Sequence, residues 1–210
     1  TTGASNTAVG RDALEVNTIG TANTAVGFAS LINNTTASYN TAVGRCAAYS
    51  NTTGQENTAV GQSSLLCNTT GGDNTAIGRG AMQSNTTGAS NATLGINALY
   101  TNTTGGWNVA IGRNALYYNT TSSNNVAIGF GAVERNTTGT SNVGVGASAL
   151  YLNTTGDNNT AIGYALYTNT TGTANTGIGR LAGAVNTTGD YNTLLGYGAG
   201  MRLTTGSNNI

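Results

Sequence analysis

Ten asparagines each open an Asn-Thr-Thr triplet: Asn34, Asn51, Asn68, Asn85, Asn102, Asn119, Asn136, Asn153, Asn169 and Asn186. That triplet is the acceptor pattern for N-linked glycosylation, so a chain modified throughout would be a glycan-coated fibre. Their regular spacing opposes this reading. Asparagines stacked about 4.8 Å apart leave little width for a branched glycan on each. Five tyrosines, Tyr49, Tyr100, Tyr117, Tyr151 and Tyr167, also recur at one place in the pattern. An exposed row of them could stack against sugar rings. The competing reading is that the rings pack on one another from repeat to repeat.

Most other chemistry lacks its residues. The chain has no histidine, which excludes a conventional nucleophilic triad. The acidic residues Asp12, Glu15, Glu56, Asp73, Glu134, Asp157 and Asp190 are spread along the chain and form no paired general acid and base. No cluster has metal-ligand spacing. Gly144-Val145-Gly146-Ala147-Ser148-Ala149 weakly resembles a dinucleotide-binding loop, but it is the ordinary repeat with an extra glycine and opens no βαβ unit. Cys46 and Cys67 fall at different places in the pattern, so stacking does not pair them, and two small buried thiols are expected. No catalytic, cofactor-binding or metal-binding residue is assigned.

These residues are positioned by a repeat. The unit reads Asn-Thr-Ala-(Val/Ile)-Gly-x-x-Ala-Leu-x-x-Asn-Thr-Thr-Gly-x-x, with coils starting at Asn6, Asn23, Asn40, Asn57, Asn74, Asn91, Asn108, Asn125, Asn142, Asn159, Asn175 and Asn192. The spacing is 17 residues except after Gly163, where one residue is missing at a corner. A unit this short cannot hold a helix pair. Thr, Val and Ile favour strands, and the composition is the reverse of a disordered chain. The pattern predicts an all-β parallel solenoid, a β-roll of about twelve coils with two short strands each. Residues 1–210 form a single array, and the rod is roughly 55–60 Å long at the usual strand spacing. One strand covers Asn-Thr-Ala-Val and the other Ala-Leu-x-x. The glycine after the first strand needs a positive φ or a close backbone approach. The turn glycine of Asn-Thr-Thr-Gly supplies unusual torsion angles. The array opens and closes in mid-unit with no visible signal peptide, which reads as an uncapped length of a longer fibre.

Apolar residues stand side by side, as in Ala8-Val9, Ala76-Ile77 and Ala115-Leu116. Neighbours in a strand point to opposite faces, so both faces are expected to be buried. Ala then lines the narrow interior, while Val, Ile or Leu faces another copy of the chain, most simply in a trimer. The alternative is that the coil turns both residues inward. Both asparagines of the unit are expected to form ladders that bond amide to amide and satisfy the turns. After the first glycine, Arg11, Arg45, Arg79, Arg113 and Arg180 appear only in alternate coils, with Ala147 the one exception in their series, and Phe28, Gln62, Ile96, Phe130, Tyr164 and Tyr197 hold the coils between. Skipping a coil separates like charges by about 10 Å, where salt screens most of their repulsion. The aromatics between can also take the guanidinium.

The segments Asn74–Met82 and Asn108–Leu116 resemble the head repeats of trimeric autotransporter adhesins. The alternation of Asn-Thr-Ala-Val-Gly with Asn-Thr-Thr-Gly is similar to arrays in phage tail fibres and in surface proteins of aquatic bacteria. The adhesin unit is shorter and lacks the Asn-Thr-Thr-Gly turn. The resemblance implies a parallel β-roll, often trimeric, that extends or presents a receptor-binding surface. The expected function is therefore a structural shaft or adhesive fibre, extracellular, on a cell surface or on a virion, with itself and surface glycans as partners. Zero net charge makes neither nucleic acid nor an anionic membrane an obvious partner, and no apolar run is long enough to insert in a membrane. Two alternatives stand beside it. The row Thr7, Thr24, Thr41, Thr58 and Thr75 could order water as an ice-binding face, although Ala92, Val109, Val126 and Val143 interrupt it. The Tyr row could make the chain a carbohydrate-binding fibre.

Overall fold

The computed structural model describes residues 2–210 and shows an all-β parallel solenoid. Its strands are β1 (Thr7–Val9), β2 (Thr24–Val26), β3 (Thr41–Val43), β4 (Thr58–Val60), β5 (Thr75–Ile77), β6 (Ala92–Leu94), β7 (Val109–Ile111), β8 (Val126–Ile128), β9 (Val143–Val145), β10 (Thr160–Ile162), β11 (Thr176–Ile178) and β12 (Thr193–Leu195). They form one parallel sheet in strict sequence order. Each residue pairs with its counterpart one coil away, as in Ala42 with Ala59 and Ile111 with Ile128. The missing residue does not disturb this register, since Thr160 pairs with Thr176 and Ile162 with Ile178. The gap is absorbed between Tyr164 and Ala165, beyond the strand.

Each coil contributes one strand, not two. The Ala-Leu segment is bonded to its neighbours, but its backbone is not extended. Asn97 N–H donates to Arg79 O at 3.0 Å in the coil before, and Leu99 N–H to Ala115 O at 2.9 Å in the coil after. Both residues have left-handed torsions, with φ of 55° and 52°. The same alternation recurs at Ala29 and Leu31 and at Asn114 and Leu116. Such torsions disfavour a bulky L-residue by roughly 1–2 kcal/mol, so the inter-coil bonds and burial must hold them.

This curl decides where the apolar pairs point. In the strand the sequence expectation holds: Ala76 is buried between the outward Thr75 and Ile77. In the second segment the alternative holds, and Ala98, Leu99, Ala115 and Leu116 are all fully buried. The Leu of this segment is therefore an interior residue, and the outward position is the third of the strand, held by Val, Ile or, at Leu94 and Leu195, Leu. The outer face of the sheet is not buried within the chain: Val43, Ile111 and Ile128 are all more than a third exposed.

The core is a column of strand Ala and second-segment Leu. Where one grows, its neighbour shrinks. Leu194 replaces the strand Ala of β12 where Gly183 and Gly200 stand in the Leu column, and a Cβ on Gly183 would lie 2.8 Å from its Cδ1. Gly144, the extra glycine of β9, makes room for Val133, whose Cγ2 would be 2.5 Å from an added Cβ.

The two fixed glycines differ. Gly61 at the strand corner has φ of +127°, and an added Cβ would lie 2.7 Å from the Gly78 carbonyl, so both expected reasons apply. The turn glycine is not left-handed, contrary to expectation. Its restriction is space: a Cβ on Gly54 would run into the carbonyl of Gly71. The left-handed torsion of that turn falls two residues later, at Glu56 (φ 57°), Trp107 (φ 55°) and their counterparts.

Candidate functional site

The ten Asn-Thr-Thr asparagines lie inside the rod, each with no exposed surface. Asn102 is representative. Its Nδ2 donates to Asn85 Oδ1 at 2.7 Å and to Gly105 O at 2.9 Å, while its Oδ1 accepts from Asn119 Nδ2 at 3.0 Å. The first asparagines form a second ladder beside this one. Asn91 Nδ2 donates to the same Gly105 carbonyl at 2.9 Å, and Asn91 Oδ1 accepts the backbone N–H of Asn108 at 3.0 Å. A glycan on Nδ2 would remove a committed donor and place a sugar in the interior. Glycosylation at these sites and this packing therefore exclude one another.

Threonine continues the pattern at the surface. Thr137 Oγ1 donates to Thr154 O and Thr154 Oγ1 to Thr170 O, both at 3.0 Å, so these hydroxyls are occupied. The Tyr row is only partly a row. Tyr100 and Tyr117 are stacked at 5.1 Å with planes 1° apart, and Tyr151 and Tyr167 at 5.3 Å and 4°. Glu134 stands between the two pairs and accepts from Tyr151 OH at 3.3 Å. Tyr49 has Leu66 in the next coil. The rings thus cover each other, as in the cross-coil packing reading. Burial and the neighbouring Tyr100 push the Tyr117 hydroxyl pKa up, and burial and Tyr167 do the same for Tyr164.

Two arginines of the row lie over aromatic rings of the next coil. Arg11 lies over the Phe28 ring at 5.3 Å and Arg180 over Tyr197 at 5.9 Å. Arg11 also pairs with Asp12 at 3.1 Å at the surface. Cys46 and Cys67 are free and half-buried, more accessible than expected. Among the described residues no three His, Cys, Asp or Glu side chains gather as metal ligands, and no helix is long and apolar enough to cross a membrane.

No known family, curated protein or solved structure matches this chain. Two surface features depart from a uniform polar rod.

One is the outer face of the sheet. The third strand residue is Val, Ile or Leu in all twelve strands and faces outward in each. The first strand residue forms a parallel row that changes from Thr in β1–β5 to Ala and Val in β6–β9 and back to Thr in β10–β12. The face carries no charge. Its partner row is aliphatic, so hydroxyls occupy at most one of the two outward rows.

The other is a cluster where Tyr117 and Tyr118 sit one coil before Glu134 and Arg135. The Arg135 guanidinium lies over the Tyr118 ring at 4.8 Å, and Tyr118 meets Tyr117 edge-on at 4.7 Å. Two grooves flank this stack. One, of about 270 Å³, is polar and lined by Asn97, Arg113, Asn114, Tyr117, Tyr118 and Glu134. The other, of about 420 Å³, is apolar, with Thr137, Thr154 and Thr170 along it and Leu152 beside Tyr118 and Arg135. Of these residues the sequence offered only Tyr117 as a candidate ligand contact, with Arg113 read as part of the arginine row and Glu134 as an isolated carboxylate. The signal was present in the alignment of coils, where Tyr118 and Arg135 share one column and Asn97 and Asn114 another.

Proposed function

We propose that the chain is a structural shaft, a length of extracellular or virion filament built from copies of itself, and that it catalyses no reaction. One observation carries this reading: side-chain ladders run in register along the array and commit its asparagine amides and the first hydroxyl of each Asn-Thr-Thr turn to holding one coil on the next. Buried asparagine amides bond to neighbouring amides and carbonyls in coil after coil. A rod in which these hydroxyl and amide groups serve cohesion is suited to length and stiffness, as expected of a solenoid whose stability sums over nearest-neighbour contacts. The aliphatic outer row supports lateral association between copies, since contiguous apolar surface of this kind marks interaction sites. The likeness of the repeat to adhesin heads and tail-fibre arrays supports a place outside the cell or on a virion.

Negative-stain electron microscopy of the purified chain tests the reading. Straight rods of uniform width with more than one chain in cross-section are expected. Compact single-chain particles at every concentration would overturn it.

A further inference from the structure

We propose that the paired grooves around Tyr118 and Arg135 form a binding site for a neutral oligosaccharide on the side of the rod. Two features set this place apart from the rest of the array. The stacked tyrosines of the Tyr row hide their faces against each other, whereas Tyr118 stands outside that row, is 38% exposed and lines both grooves, which the more exposed Tyr39, Trp107 and Tyr191 do not. The repeat also departs from its usual neutral pattern here, bringing a carboxylate, two guanidinium groups and two adjacent asparagines to one stretch of surface.

The grooves differ in the way a sugar ring does. A pyranose has hydroxyls around its rim, each both donor and acceptor, and apolar C–H faces. The polar groove offers both kinds of partner: Arg113 donates, Glu134 accepts, and the amides of Asn97 and Asn114 do either. The apolar groove has Leu152 and the side of Tyr118. Its threonine hydroxyls are turned to inter-coil bonds, which leaves their methyl groups for contact. A ligand bridging both grooves would cross the Tyr118–Arg135 stack, where aromatic and guanidinium planes suit a sugar face. Arg113 and Arg135 outweigh Glu134 by one charge, so the preference for a neutral ligand rests on Glu134 itself, an acceptor that suits a sugar hydroxyl and repels a carboxylate in the polar groove.

The site is also firmly held. Asn97 and Asn114 occupy left-handed backbone positions whose N–H groups are bonded to Arg79 O and Ile96 O, at 3.0 and 3.1 Å. Tyr117 is fixed by Tyr100, and Glu134 by Tyr151. A ligand therefore meets side chains whose arrangement is set before it arrives, which lowers the entropy lost on binding.

Isothermal titration calorimetry of the whole chain with cellohexaose, maltohexaose, chitohexaose and a hexamer of galacturonic acid tests the proposal. At least one neutral hexasaccharide should bind. Tyr118→Ala should weaken it about tenfold, equivalent to about 1.4 kcal/mol, and Glu134→Gln should weaken it measurably. Tyr191→Ala, an exposed aromatic elsewhere on the rod, should leave binding unchanged. Circular dichroism identical to wild type would exclude misfolding of these surface variants. Failure of all three neutral probes, binding of the acidic hexamer alone, or equal losses in Tyr118→Ala and Tyr191→Ala would each overturn the proposal.

Discussion

A buried asparagine of the turn column makes three hydrogen bonds, two as donor and one as acceptor, and only this residue type combines that set with this size. The column shows what happens where it stops. The residue one coil beyond Asn186 is Leu203, and Asn186 Oδ1 is left without a partner. Removing a member from the middle should be worse, because partners are stranded on both sides. Asn102→Ala leaves Asn85 Oδ1 without its donor and one N–H of Asn119 Nδ2 without its acceptor, while Gly105 O keeps the bond from Asn91 Nδ2. Each stranded buried group costs roughly 1–3 kcal/mol, so a loss of several kcal/mol is expected in urea unfolding. A loss below about 1 kcal/mol would mean that water replaces the ladder. Tyrosine ionisation acts at the same scale. The Tyr117 and Tyr164 hydroxyls titrate above the ordinary value of 10.0, so folding favours their protonated forms. Their contribution is complete below pH 10 and is lost as pH rises through the folded values. The double variant Tyr117→Phe/Tyr164→Phe should keep its unfolding midpoint further into alkali than wild type, read by circular dichroism across a pH series.

The strand and the second segment of each coil differ in how much of them the sequence reveals. Thr-Ala-Val announces a strand through β-branched residues around a small one, and its register follows from the repeat. The second segment hides its shape, because left-handed torsions fall on Ala29, Leu31, Cys46 and Leu65, residue types that carry no signature for them. They are imposed by bonds to the coils on either side, which a single unit cannot show. The asparagine columns were legible as ladders, but not as interior ladders, since polarity alone suggests a surface. The Tyr118 cluster was harder still, because it arises from columns rather than from any local motif. Compensation between elements is open to direct test. Leu194 fills the space left by Gly183 and Gly200. Leu194→Ala should destabilise by about 2–5 kcal/mol through the cavity it leaves. Gly183→Leu alone should also destabilise, since its Cβ would lie 2.8 Å from both Leu194 Cδ1 and Leu166 Cδ2, and turning the flexible Leu166 side chain away still leaves Leu194 in place. The double variant should be more stable than either single one, because Leu166, one coil earlier in that column, is fully buried with φ of 48°. Additive losses in thermal unfolding would show that the two columns do not share one space.

At the scale of the whole rod, the sheet presents two faces with opposite fates. Its inner face is sealed by Ala against Leu, and its outer face keeps an aliphatic residue in every strand. A shaft that worked as a single chain would gain nothing from Val or Ile at these positions over a second Thr, which favours strands as well and is better solvated. The proposed association through this face would account for a residue choice that the coil itself does not demand. The central stretch is the most apolar, since β7 and β8 carry Val in the first outward row and Ile in the second. Ile111→Lys with Ile128→Lys places two charges there while leaving the buried Ala110 and Ala127 and the backbone pairing in place. Sedimentation velocity should show wild type as an oligomer and the variant as a monomer of unchanged secondary structure. The same substitutions at Phe28 and Phe130, exposed at the corner row, should leave the oligomer intact. If both pairs dissociate it equally, the corner takes part in the contact; if wild type is itself a monomer at all concentrations, the aliphatic face serves some purpose other than self-association.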